Sequence, residues 1–177
     1  MVLRTIWILR GCRSHLGPWK DENGEYKFYG RFNQGVVSLN LPQVGILADH
    51  DMELFWKILD ERLNLCKDAL MVRHNLLLGT LSDVSPIHWQ FGGLARLKRG
   101  EPIDKLLNCP YSTLSLGYVG VSEMTYAMLG VSHTTPEGEE FALKVMNKLN
   151  EACKKWKEET GLGFSLYGTP KMCGSVK

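Results

Sequence analysis

The sequence predicts an α/β fold in which parallel strands are joined by helical crossovers, as one domain over residues 1–177. Two long amphipathic helical stretches, at 51–78 and 136–159, alternate with strand-like segments at 36–41, 111–119 and 163–167. The order strand, helix, strand, helices, strand is that of parallel strands with right-handed crossovers, an open sheet or part of a barrel. No internal repeat, linker or low-complexity tract divides the chain, and its length suffices for a real core.

Each element has its own signal. Residues 1–10 read as a short strand, with Thr5-Ile6-Trp7-Ile8-Leu9 at its centre. Gly17-Pro18 and Asn23-Gly24 punctuate the next stretch as turns. Residues 30–35 read as a polar loop. It runs into a strand at 36–41, mostly apolar apart from Ser38 and Asn40, that Pro42 terminates. Asp51 then caps a long helix whose apolar stripe is Leu54, Phe55, Ile58, Leu59, Leu63, Cys66 and Leu70. Gly79 stops it, and His74 or Asn75 is the candidate internal break.

Residues 81–110 are less regular. Ile87-His88-Trp89-Gln90-Phe91 reads as a strand, and 94–107 as room for a short helix interrupted by Gly100 and Pro102. Residues 111–119 form a strand in which Leu114, Leu116 and Tyr118 alternate with Ser115 and Gly117. Ser122 caps a short helix that Gly130 stops. Thr134-Thr135-Pro136-Glu137 opens the second long helix, with proline at its first position. Its stripe is Phe141, Ala142, Val145, Met146, Leu149, Cys153 and Trp156, and Gly161 ends it. Gly163-Phe164-Ser165-Leu166-Tyr167 is the last strand.

The formal charge of +2 is small and dispersed, without the clustered Lys and Arg of a nucleic-acid surface. The start of the chain is too short an apolar run for a membrane span and has no cleavage-site pattern. Five scattered cysteines, with no CxxC pair or Cys/His cluster, argue against a metal site within the chain and for a reduced, cytoplasmic setting. Cys66 and Cys153 fall on apolar helical stripes and read as core, while Cys109 and Cys173 have no assignment. The lysines of the second long helix read as its solvated face, and His88 beside Trp89 as structural.

Cys12 is the thiol in an unusual place, between Gly11 and Arg13 in a turn-rich segment. A lone free cysteine is more often a small buried hydrophobe than a functional group. Asn33 stands just before a buried strand, where a polar side chain would sit at a sheet edge near which α/β proteins bind ligands. By itself it is more often a turn residue. Four segments, in order, alter that balance: Gly11-Cys12-Arg13-Ser14; Gly30-Arg31-Phe32-Asn33-Gln34-Gly35-Val36-Val37-Ser38-Leu39-Asn40-Leu41-Pro42; Leu116-Gly117-Tyr118-Val119-Gly120; and the run from Trp156 through Leu162-Gly163-Phe164 to Tyr167-Gly168-Thr169-Pro170. Together they resemble the anaerobic (class III) ribonucleoside-triphosphate reductases, a glycyl-radical enzyme family, over about 11–170.

The resemblance implies a partial α/β barrel of the glycyl-radical type, with 11–42 as the radical-cysteine loop and the strand that follows it. It implies that a glycyl radical on a residue outside this chain oxidises Cys12 to a thiyl. The thiyl takes the 3′ hydrogen of a ribonucleoside triphosphate, the 2′ hydroxyl leaves as water, a reductant supplies electrons, and Cys12 returns the hydrogen. The thiol acts in its neutral form, unlike nucleophilic cysteines. Asn33 matches the family position that contacts the ribose hydroxyl region, and asparagine there goes with formate as reductant. Gly168 and Thr169 have two open readings: backbone donors to the triphosphate at a helix start, or a plain strand-to-helix turn.

For a complete enzyme the resemblance further implies zinc, activation dependent on S-adenosylmethionine through a radical-SAM activating enzyme, and a homodimer. The family's glycyl-radical segment, its zinc cysteines and its N-terminal effector region have no counterpart here, and residues 1–10 and 171–177 depart from its pattern. The chain therefore reads as a central slice of a reductase barrel, expected to show no turnover or radical signal alone and to self-associate through open sheet edges. The alternative is a non-catalytic remnant or a module that associates with reductase chains.

Overall fold

In the computed structural model of the chain, the described residues are 9–10, 14–15, 24–25, 30–108 and 111–168. Two short strands, β1 (Leu9–Arg10) and β2 (Ser14–His15), pair antiparallel, with Leu9 opposite His15 and Arg10 opposite Ser14. The rest of the predicted first strand lies outside the described residues. Three longer strands, β3 (Phe32–Asn40), β4 (Ser112–Val119) and β5 (Phe164–Gly168), form a sheet in the order β3-β4-β5, parallel throughout. The predicted parallel α/β arrangement is therefore present, and β2 lies beside β3.

Between β3 and β4 come α1 (Leu41–Ala48), α2 (Met52–Leu77) and the one-turn α3 (Pro86–Trp89). Between β4 and β5 come α4 (Val121–Leu129) and α5 (Pro136–Thr160). The long helices begin where the sequence caps them. Asp51 accepts from the backbone N–H of Glu53 and Leu54, and Thr135 accepts from that of Gly138. The inward residues of α2 are Phe55, Leu59, Leu63, Cys66, Leu70 and His74, and those of α5 include Phe141, Val145, Leu149, Cys153 and Trp156. Apart from His74, they meet Leu39, Leu114 and Leu116 of the sheet in one core, which α1 and α4 complete through Leu41, Val44, Met124 and Met128. A smaller cluster of Leu97, Ile103, Leu106 and Leu107 holds the irregular segment, against which Phe32 and Trp89 pack edge to face.

Several expectations are corrected. β3 begins at Phe32, four residues before the predicted strand, so Asn33 is in the strand and not in a loop ahead of it. Pro42 does not merely end β3. Asn40 caps α1, accepting from the Gln43 N–H, and Pro42 sits in its first turn, a start signal the strand reading obscured. No break occurs at His74 or Asn75, because α2 continues to Leu77. Leu54 stands 39% exposed, off the stripe. The predicted strand at 87–91 is instead α3 and its end, started by Pro86, with Ile87 and Phe91 largely exposed. Within 94–107 only a 3-10 turn forms, Asp104–Leu106. The cap of α4 is Gly120, in the left-handed region, and Ser122 lies inside the helix.

Gly120 admits no other residue. Its φ is +81°, and a Cβ there would fall inside the Pro42 ring at the start of α1. The turn from β4 into α4 is thereby held against the turn from β3 into α1. Gly120→Ala should lower stability by about 2 kcal/mol or more through left-handed strain and the clash, read as a lower urea midpoint. Burial pushes the Cys153 thiol up to about 12 and raises Cys66 as well. Both should therefore stay unmodified by a thiol reagent at pH 8 in the folded chain and react on unfolding, as peptide mapping would show.

Candidate functional site

The helices cover one face of the sheet and the hydrogen-bonding residues of interest occupy the other. Along β4, Leu114 and Leu116 point into the helical core, so Thr113, Ser115 and Gly117 point away from it. Register extends this face to both neighbours. Asn33 is opposite Thr113, Val36 and Ser165 flank Ser115, and Ser38 and Tyr167 flank Gly117. A Cβ on Gly117 would come within 2.5 Å of Ser38 Oγ, so the small residue lets these side chains close over β4.

A hydrogen-bonded row crosses all three strands. Asn33 Nδ2 donates to Ser115 Oγ at 2.6 Å, and Ser115 and Ser165 share a hydroxyl contact at 2.9 Å. Asn33 Oδ1 accepts from the Gly35 N–H at 2.8 Å. That closes a local turn over a bulge, where the register with β4 shifts between Asn33 and Gly35. The extra residue, Gln34, turns to the helix side. Its Nε2 donates to Leu107 O and to Ser112 Oγ, each at 2.7 Å. Its Oε1 is then the acceptor for His74 Nδ1 at 2.9 Å, which assigns the proton to Nδ1. Asn33 is thus fixed by the bulge from one side and by Ser115 from the other.

Two buried polar atoms have no partner among the described residues: Thr113 Oγ1 and Arg62 Nε. A buried hydroxyl left unpaired costs roughly 1–3 kcal/mol. Thr113 is 7% exposed and directly opposite Asn33. Arg62 lines a separate cleft of about 220 Å³ between β3 and α2, walled by Val37, Leu39, Asn40 and Cys66. Asn33 does not border that cleft.

Of the four residues expected at a site, Asn33 and Gly168 are described, and Cys12 and Thr169 lie outside the described residues. Arg10 and Ser14, two residues either side of Cys12 in the sequence, are paired between β1 and β2, and β2 lies beside β3. Asn33 sits at the amino end of the sheet, not at the carboxyl edge that the ligand-site expectation invoked. Gly168 ends β5 opposite Tyr118. Going from Thr113 to Tyr118 along β4 is five steps, so the two positions stand roughly 16 Å apart along the strands. The helix expected after Gly168 lies outside the described residues.

Sequence reasoning missed Gln34, His74, Thr113, Ser115 and Ser165. A signal existed for the serines, because period-two alternation already set Ser115 opposite to Leu114 and Leu116. His74 extends the α2 stripe by four residues from Leu70, which marked it as an inward side chain and not a break.

Among the described residues no group of three or more His, Cys, Asp or Glu could hold a metal ion, and no helix is long and apolar enough to cross a membrane. Burial lowers the His74 pKa. The unfolded chain therefore takes up a proton at this residue first as pH falls, near 6.5, and folding stability is lost below that point until the lower native value is passed. Urea midpoints should fall between pH 7.5 and pH 5.5, and His74→Gln should flatten this part of the profile.

A family model described as anaerobic ribonucleoside-triphosphate reductase matches residues 4–172. The anaerobic ribonucleoside-triphosphate reductase of Salmonella typhimurium is 43% identical over 164 residues, covering 90% of this chain and 23% of that protein. The protein of that name from Haemophilus influenzae is 39% identical over 163 residues, with the same coverage of 90% and 23%. The chain thus spans about a quarter of the length of these curated relatives. The structure of the Thermotoga maritima anaerobic ribonucleotide reductase with dATP bound in the specificity site aligns with a TM-score of 0.58 at 22% identity, over 85% of this chain and 23% of that one. At this identity the likeness is one of fold. The chain belongs to the anaerobic ribonucleoside-triphosphate reductase family.

Proposed function

We propose that this chain supplies the radical cysteine and ribose-contacting face of a ribonucleoside-triphosphate reductase. The observation that carries the reading is the juxtaposition at β3: β2, which begins two residues after Cys12 in the sequence, lies beside the strand that holds Asn33 on a hydrogen-bonded bulge. In this reading Cys12 exchanges a hydrogen atom with C3′ of the ribose, and Asn33 orients the ribose hydroxyls while the 2′ oxygen leaves as water. A glycyl radical carried elsewhere supplies the one-electron oxidant for Cys12. The pair of electrons for the reduction comes from a small reductant, formate in keeping with asparagine at position 33.

The groups bonded to one another around Asn33 are amides and hydroxyls. That suits hydrogen-atom transfer, which moves no net charge and needs no general base, and it leaves few easily oxidised donors against a thiyl. Asn33 retains one amide hydrogen and a lone pair beyond the bonds it makes here. At the other end of the sheet, Gly168 and Thr169 take the triphosphate through backbone N–H groups, with an extended triphosphate directed along the strands. Activation by a radical-SAM enzyme and assembly as a homodimer belong to this reading as properties of the whole reductase.

The test is a chimera in which this chain replaces the matching segment of the Salmonella typhimurium relative. It should reduce CTP anaerobically after activation, and Cys12→Ala should abolish turnover while leaving CTP binding within about 2-fold. Turnover undiminished by Cys12→Ala would remove the reading. The association-module alternative predicts no turnover from the chimera together with capture of intact reductase by the free chain.

A further inference from the structure

The Thr113 hydroxyl is the polar group on the Asn33 face for which the fold provides nothing. It is 7% exposed, and its oxygen has no hydrogen-bond partner among the described residues. Its neighbours on that face are all engaged. Ser115 is bonded to Asn33 and Ser165, while Ser112, on the opposite face, accepts from Gln34. Asn33 reaches past its own register partner to Ser115, two residues further along β4. Thr113 is thereby left side by side with Asn33 on an adjacent strand, the two backbones about 4.8 Å apart.

We infer that Thr113 is a second ribose-reading residue: beside Asn33, its hydroxyl takes one oxygen of the vicinal 2′,3′ diol of a ribonucleoside triphosphate. The inference rests on the reading of this face as the ribose site. Two groups on neighbouring strands at one register position present side-by-side hydrogen-bonding atoms. A cis diol offers two adjacent hydroxyls, each both donor and acceptor. The amide of Asn33 serves one oxygen and the hydroxyl of Thr113 the other. A site built to bond a substrate hydroxyl discriminates against the analogue lacking it, because its own polar group is then left unpaired.

The experiment uses ligand-observed NMR on the 177-residue chain with CTP, 2′-deoxy-CTP and 3′-deoxy-CTP, and thermal melts without ligand. One net hydrogen bond corresponds to roughly 5-fold in affinity. Thr113→Val should weaken CTP by about that factor and leave one of the two deoxy analogues unchanged, identifying the oxygen that Thr113 reads. Thr113→Ser should restore the preference. Without ligand, Thr113→Val should raise the melting temperature, because an unpaired buried hydroxyl is removed, a gain that a hydroxyl serving the fold would not give. CTP binding that Thr113→Val leaves intact, or a lowered melting temperature in that variant, overturns the inference and leaves the ribose-site reading standing. Failure of the unmodified chain to bind any of the three nucleotides overturns the inference as well, whereas the ribose-site reading itself stands or falls with turnover by the chimera.

Discussion

Leu114 and Leu116 make one face of β4 the apolar partner of four helices, while Thr113, Ser115 and Gly117 make its other face small and largely polar. The two leucines are fully buried, and each contributes about 1.5–3 kcal/mol through that burial. Their side chains determine which way the strand faces, since a slip of one residue would turn hydroxyls into the core. Register then carries the division to β3 and β5. The same leucines that anchor α2 and α5 therefore orient Asn33, Ser115 and Ser165 on the opposite surface.

The parts of this arrangement that were legible in the sequence are those set by local chemistry. The stripe on α5, the caps at Asp51 and Thr135 and the alternation along β4 are signals within a few residues of one another. The parallel sheet followed from element order. What escaped depended on tertiary context. Asn40-Leu41-Pro42 carries a strand end and a helix start in three residues, and the apolar run before it masked the cap. Ile87 to Phe91 has strand-forming residues, but Pro86 and an exposed position make it a helical turn. The signal at Cys12 is its glycine-led sequence context together with the family resemblance. The partners of Asn33 come from positions 82 and 132 residues away, through Ser115 and then Ser165, and no local pattern announces such pairs.

The two described cysteines and the bonded row around Asn33 show opposite uses of polarity. Burial in the helical core raises the thiol pKa of Cys66 and Cys153 and makes them inert hydrophobes. On the other face the sheet gathers neutral hydrogen-bonding groups, bonded to one another except at Thr113. Hydroxyls at Thr113, Ser115 and Ser165 add nothing to the helical core, and one of them is unpaired. Stability alone would have replaced that one with a hydrocarbon. An unpaired buried hydroxyl lowers stability at this position without serving the core.

The bulge at β3 explains why the unpaired group is Thr113. In an unbroken parallel strand, Gln34 would pair with Leu114 and its neighbours would follow in step. With Gln34 as the extra residue, its amide turns to Ser112, Leu107 and His74 on the helix side. The backbone at Gly35 closes against Asn33 Oδ1, and a Cβ at Gly35 would meet the Arg73 side chain at 2.9 Å. These contacts hold the Asn33 side chain in a diagonal reach to Ser115 and away from the residue directly across from it. The diagonal satisfies Asn33 and Ser115 together and leaves the hydroxyl opposite with nothing to bond. The device that fixes Asn33 is therefore the same one that keeps a neighbouring hydroxyl available.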